Sequence, residues 1–216
     1  MLARHELRPD AAARAAREVA VRLRANPGSA ELLVGTDPGL LPALEALGGL
    51  PLAWGRTGVW AASELVVPES HTARRWPGVW QALAVPARFN PIAVDPQADA
   101  DGARAAARQA ALLAAPPCRG VIDVAFLLLR ADGGVAGLSA ASPLLRERAD
   151  VGAAPGAQGL AEVSVTLSLL ARARAIVLLA APDCPPDTVA KVLAGDISVP
   201  AGRLRHPQFV LFQSAG

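Results

Sequence analysis

The sequence predicts an α/β fold, with a largely parallel sheet flanked by helices on both faces. Ile122 to Leu129 and Ala175 to Ala180 are short, nearly unbroken apolar runs, the pattern of strands covered on both faces. Such runs alternate with segments of helical composition, the order expected of βαβ units. A chain of 216 residues that is 52% hydrophobic and 19% charged has material for one substantial core, so residues 1–216 are expected to form one domain.

The elements follow in order. Pro9-Asp10 opens a helix with Ala16, Val19, Ala20 and Leu23 on one face, stopped by Asn26-Pro27-Gly28. Leu32 to Val34 forms a buried strand, broken by Gly35-Thr36-Asp37-Pro38, and a second helix runs from Pro38 to Leu47. Val59 to Ala62 is a strand and Trp76 to Ala84 a short helix. Alanine-rich Asp99 to Leu113 is helical and leads to the strand at Ile122 to Leu129. The small-residue stretch from Asp150 to Gly159 is expected as a loop, and Ser168 to Arg174 as helix. A strand at Ala175 to Ala180, a helix at Asp187 to Leu193 and a strand at Phe209 to Phe212 complete the chain.

Composition excludes several classes of function. A net charge of +2 does not describe a dedicated nucleic-acid binder. Arg14, Arg17, Arg22 and Arg24 surround one helix with Glu18 among them, and a solvated helix face accounts for them. The most apolar stretch, Val121 to Leu129, is far short of the ~20 residues needed to span a bilayer. The first residues are charged before any apolar run, unlike a secretory signal, so the cytoplasm is the expected location, without membrane association. Cys118 and Cys184 lack metal-ligand spacing and are expected as buried thiols. No metal or cofactor is expected, since three scattered histidines, His5, His71 and His206, offer no ligand cluster and no nucleotide-binding glycine motif follows a strand. His5 and His206 are expected at the surface. The indoles of Trp54, Trp60, Trp76 and Trp80 are expected mostly in the core.

In an α/β sheet, ligands collect at the carboxyl ends of strands. Three segments there carry chemistry: Val34-Gly35-Thr36-Asp37-Pro38; Ser63-Glu64-Leu65-Val66-Val67-Pro68 leading to His71 and Arg74-Arg75; and Asp123 opening a strand that leads to Arg130, Asp132-Gly133 and Gly134. Two more follow, Glu162 to Thr166 before a helix and Leu193-Ala194-Gly195-Asp196 closing one.

In order and spacing, across Ala12 to Phe212, this set resembles the 6-phosphogluconolactonase family, related in fold to glucosamine-6-phosphate and ribose-5-phosphate isomerases. The resemblance implies a sugar-phosphate ligand, a loop at Gly35-Thr36 cradling phosphate at a helix N-terminus, and hydrolysis of a lactone by water activated by a histidine. The scaffold landmarks Pro38, Pro68, Gly133 and Leu-Ala-Gly-Asp are kept. Asp37 brings a carboxylate to the phosphate loop, and Ser63 and Leu65 replace an aspartate and an arginine. Leu128 and Arg130 replace two glycines, Gly134 the general-base histidine, Glu162 an arginine and Pro185 a lysine. Glycine carries no side chain to take a proton, and a guanidinium is hard to replace in phosphate recognition.

The losses fall on the chemistry, so the expected function is a 6-phosphogluconolactonase-like protein of sugar-phosphate metabolism with lost or much reduced lactonase activity. Its role would be binding or assembly, with a sugar-phosphate ligand or a protein partner from that metabolism. Two alternatives stay open. One is a hydrolase with a rearranged site, in which His71 or Glu64 activates water, Asp132 orients the base, and Arg74, Arg75 or Arg130 holds an anion beside Gly35, Thr36 and Gly133. The other is a sugar-phosphate sensor without turnover.

Overall fold

The structure, a computed structural model, describes residues 4–26, 28–156 and 159–215. Seven strands form one sheet in the order β1-β10-β9-β6-β2-β3-β5, with every neighbouring pair parallel. They are β1 (Arg4–Arg8), β2 (Ala30–Val34), β3 (Thr57–Ala61), β5 (Arg88–Asn90), β6 (Val124–Leu129), β9 (Ile176–Ala180) and β10 (Phe209–Ser214). β6 and β9 are buried along their whole length, as their unbroken apolar sequences require.

A second, antiparallel sheet joins β4 (Ser63–Leu65), β8 (Ala161–Val165) and β7 (Val151–Pro155). Ala62 links the two sheets: its amide donates to Val34 O at 2.8 Å, and its carbonyl accepts from the Val165 amide at 2.8 Å. β3 therefore bends into β4, and the small sheet is held beside the carboxyl end of β2.

The helices are α1 (Ala11–Arg24), α2 (Leu41–Gly48), α3 (Trp76–Leu83), α4 (Ala103–Ala114), α5 (Leu167–Leu170) and α6 (Pro186–Ala194). α1 buries Ala11, Ala15, Ala16, Val19, Ala20 and Leu23 against β6, β9 and β10. Its arginines form the solvated face expected of them, with Arg14 and Arg17 on Asp10 at 2.9 Å each and Arg22 on Glu18. The connections from β2 to β3 and from β6 to β9 progress in opposite directions across the sheet, so right-handed crossovers place them on opposite faces. Between β2 and β6 the strand order thus reverses, opening a crevice at their carboxyl ends. Among the described residues no helix is long and apolar enough to cross a membrane.

At the opposite pole a buried carboxylate ties three strands together. Glu31 accepts from Trp60 Nε1 at 2.6 Å and from Arg88 at 2.9 Å. Gly58 has no side chain because a Cβ there would collide with Glu31. Asp123, which opens the β6 segment, accepts from the Glu31 amide at 2.7 Å and pairs with Arg174 at 2.9 Å.

Several expectations change. Val151–Pro155, expected as loop, is strand β7; its glycine and alanines have weak strand preference, and pairing with β8 supplies the order. Residues 157 and 158 of that expected loop, and Pro27 of the first helix stop, lie outside the described residues. The helix expected from Asp99 begins at Ala103, because the Asp99 carboxylate caps it by accepting from the Arg104 and Ala105 amides at 3.1 and 2.7 Å. The helix expected over Ser168 to Arg174 closes at Leu170, and the Arg174 amide instead donates to Ile122 O at 2.8 Å. His206 is buried, not superficial: its Nε2 lies 2.6 Å from Ala173 O and its Nδ1 accepts from the Gln208 amide. Trp54, Trp60 and Trp76 are buried, whereas Trp80 is 58% exposed.

Candidate functional site

The crevice between β2 and β6 is built from the residues that follow each strand. Asp37 precedes Pro38, which holds it extended (φ −63°, ψ 134°), and its carbonyl accepts from the Leu40 amide to open a short 3₁₀ turn. The side chain is buried, and Oδ1 lies 3.6 Å from Arg130 Nη1. Arg130, the first residue after β6, starts a tight turn. Its amide donates to Gly134 O at 3.0 Å, and the Gly133 amide donates to Arg130 O at 2.9 Å. Gly133 has a positive φ of 74°, a conformation that favours glycine, and a Cβ there would lie 2.6 Å from Val199 Cβ. Asp132 Oδ1 accepts from the Gly134 amide at 2.8 Å, so the Asp-Gly pair shapes the turn.

The Arg130 guanidinium folds back over this turn. It donates to the carbonyls of Ala136 and Leu138 and lies 3.6 Å from Asp132 Oδ1. It thereby fills the volume beside Gly134: a Cβ on Gly134 would overlap Arg130 Nη2 and lie 2.7 Å from both Asp132 Oδ1 and Leu138 O.

A second ion pair closes the other side. Arg75, at the amino end of α3, donates to Glu162 at 2.7 Å, and Glu162 is held on β8 opposite Leu65 and Ala154. Between the pairs lies a cavity of about 320 Å³ lined by Asp37, Arg75, Arg130, Asp132, Ser139 and Glu162, among others. A shallower one of about 510 Å³ adjoins it along Pro38, Gly39, Leu128 and Asp183. A larger apolar groove of about 710 Å³ runs between α4 and β7, and its alanine-rich lining holds one ionisable side chain, Asp101.

Asp37 is the electrostatic focus. Burial pushes its carboxyl above the ordinary carboxylate value, against the opposing pull of Arg130 and Arg75. Its Oδ2 is buried without a hydrogen-bond partner.

Of the candidate catalytic and anion-binding residues named from the sequence, Arg75, Arg130 and Asp132 meet at this cavity. The others are engaged elsewhere. Glu64 is fully buried and caps α3, accepting from the Leu65, Arg75 and Trp76 amides at 3.0, 3.1 and 2.9 Å. A carboxylate at the positive end of a helix is stabilising there. Arg74 lies 3.6 Å from Glu64 and donates to Val67 O. Neither it nor Arg75 is an exposed loop arginine, with side-chain exposures of 12% and 21%. His71 is exposed; its Nδ1 accepts from the Ala73 amide, and it lines neither cavity. Thr36 is buried and donates to Ser63 O at 2.9 Å, while the Gly35 amide donates to Phe126 O at 2.8 Å. With the Gly133 and Gly134 amides also engaged, these loop donors serve the fold.

The sequence shows the charges at Asp37 and Glu162 but not their partners. Arg130 and Gly134, a long charged residue and one without a side chain four positions on, were the one signal of their contact in the sequence. Among the described residues no three His, Cys, Asp or Glu side chains gather to hold a metal ion. Cys118 and Cys184 are buried free thiols, as the sequence suggested. The arrangement offers hydrogen-bond acceptors and paired guanidinium groups; its histidine lies outside.

Comparison with known proteins agrees with this architecture. Residues 5–212 match the family described as glucosamine-6-phosphate isomerases/6-phosphogluconolactonase. Among solved structures, a 6-phosphogluconolactonase from Leishmania guyanensis superposes with a TM-score of 0.81 at 18% identity, covering 99% of this chain and 96% of that one. The Trypanosoma brucei 6-phosphogluconolactonase gives 0.78 at 17% identity, with 98% and 96% covered. A monomeric glucosamine-6-phosphate deaminase gives 0.75 at 16% identity, with 99% and 97% covered. No curated protein matches the sequence significantly.

Proposed function

Because the chain belongs to the glucosamine-6-phosphate isomerase/6-phosphogluconolactonase family, we propose that it is a non-catalytic member, retained in cytoplasmic sugar-phosphate metabolism for binding or assembly. One observation carries this reading: the Arg130 guanidinium stands where a side chain at Gly134 would have to be, bonded to two loop carbonyls and close to two aspartates. In the family resemblance that position holds the histidine that activates water. Here an obligate cation takes the place of a base, and guanidinium groups do not accept protons.

Phosphate recognition is opposed as well. Asp37 and Glu162 present carboxylates to the cavity, and each of its arginines is in contact with one of them. A rearranged hydrolase would need His71 or Glu64 at the cavity, and neither lines it. A protein partner of the same metabolism is part of this proposal, and Trp80, 58% exposed on α3, is a place to look for its contact.

The test is hydrolysis of 6-phosphogluconolactone by the purified protein, measured against the spontaneous rate, with Asp132→Ala as control. A rate indistinguishable from background supports the proposal. Activity well above background that disappears in the control overturns it.

A further inference from the structure

We propose that the cavity bordered by Asp37, Arg75, Arg130 and Glu162 binds a small unphosphorylated molecule carrying a protonated amine. The inference rests on the non-catalytic reading of this site and names what it takes instead of a sugar phosphate.

The first support is an unmatched acceptor. Asp37 is 7% exposed, lines the cavity, and has a buried Oδ2 without a hydrogen-bond partner. A buried carboxylate oxygen is stabilised by a donor, most strongly by a charged one. The protein's own cations are occupied. Arg130 is shared among Asp37, Asp132 and the carbonyls of Ala136 and Leu138. Arg75 is held by Glu162 at 2.7 Å.

The second support is charge balance. Three carboxylates, Asp37, Asp132 and Glu162, face two guanidinium groups across the cavity, leaving one negative charge in excess when all are ionised. An incoming phosphate would meet Asp37 and Glu162 with like charge. A metal ion is not suited either, because among the described residues these carboxylates do not gather into a group that could hold one. An ammonium group brings three donors and no acceptor, which matches both the excess charge and the unmatched oxygen. The upward shift of the Asp37 carboxyl agrees with this, since Arg130 and Arg75 do not fully offset its burial. At about 320 Å³ the cavity admits a small molecule.

The test uses ligands that share one carbon frame. Thermal shift and calorimetry with 1-amino-1-deoxysorbitol are compared with its N-acetyl derivative, sorbitol and sorbitol 6-phosphate. Binding by the amine, with the other three weaker by about tenfold or more, is the expected result. Asp37→Asn, which keeps the shape and removes the charge, is expected to weaken amine binding by at least about tenfold. If that variant fails to fold, the amine against N-acetyl comparison on the unaltered protein decides alone. Absence of amine binding, equal binding of all four compounds, or tighter binding of the phosphate overturns the proposal. Those outcomes leave the lactonase result untouched. Conversely, true hydrolysis of 6-phosphogluconolactone would remove the non-catalytic reading whatever the cavity binds.

Discussion

Arg130 and Gly134 are complementary: the guanidinium of one occupies the volume that a Cβ on the other would need. Arg130 closes its own turn, since its amide and carbonyl bond Gly134 O and the Gly133 amide while its side chain secures Ala136 O and Leu138 O. A charged residue at the mouth of β6 has thus become a staple of the following loop.

Gly134→His alone should therefore destabilise the protein by about 1–3 kcal/mol through overpacking. In Arg130→Gly/Gly134→His the overlap with the guanidinium is removed, leaving the 2.7 Å approaches to Asp132 Oδ1 and Leu138 O, and the double variant should be more stable than the sum of the single changes predicts. Urea denaturation of the four proteins measures this coupling. Strict additivity would contradict the contact.

Glu64 caps α3 from a fully buried position, with three backbone amides on its carboxylate. Removing it leaves those amides without a partner, so Glu64→Ala is expected to cost about 2–4 kcal/mol. A loss below roughly 0.5 kcal/mol in chemical denaturation would show that the cap is not stabilising.

For Asp37 the sign follows from its raised folded-state pKa. The folded protein holds this proton more tightly than the unfolded chain does. Stability therefore falls as pH rises from the ordinary carboxylate value of 3.8 through the raised value, as the ionised form becomes penalised. Relative to wild type, Asp37→Asn should gain stability as pH is increased from about 4 to 7. Unfolding free energies of both proteins across that range check the sign; a relative loss on raising the pH would reverse it.

Burial raises both thiols, Cys118 and Cys184, to a pKa of about 11. The thiolate is the reactive form, so both should react slowly with Ellman's reagent in the folded protein at neutral pH and fully after unfolding. Rapid modification of either cysteine without denaturant would be inconsistent with their burial.

Much of the fold was legible because its signals are local. The apolar runs at β6 and β9, the helical spacing of Ala16, Val19, Ala20 and Leu23, and the breaks at Gly35-Thr36-Asp37-Pro38 each express burial or backbone preference within one segment. β1 and β7 were not legible in this way. The charged Arg4–Arg8 segment and the small-residue Val151–Pro155 segment carry weak strand patterns, and order comes from β10 and β8 respectively.

The same division runs through the site. By itself the sequence determined that the carboxyl ends of the strands carry Asp37, Arg130, Asp132 and Gly134, with Glu162 farther on. Only the tertiary structure decided which of these residues meet. It pairs Arg130 with Asp37 across the β2–β6 switch point and Arg75 with Glu162 between α3 and β8; it assigns Glu64 to a helix end and leaves His71 outside. The physical reason is that a residue's type and spacing reveal its local backbone and burial preference, whereas an ion pair depends on strands brought together from distant parts of the chain.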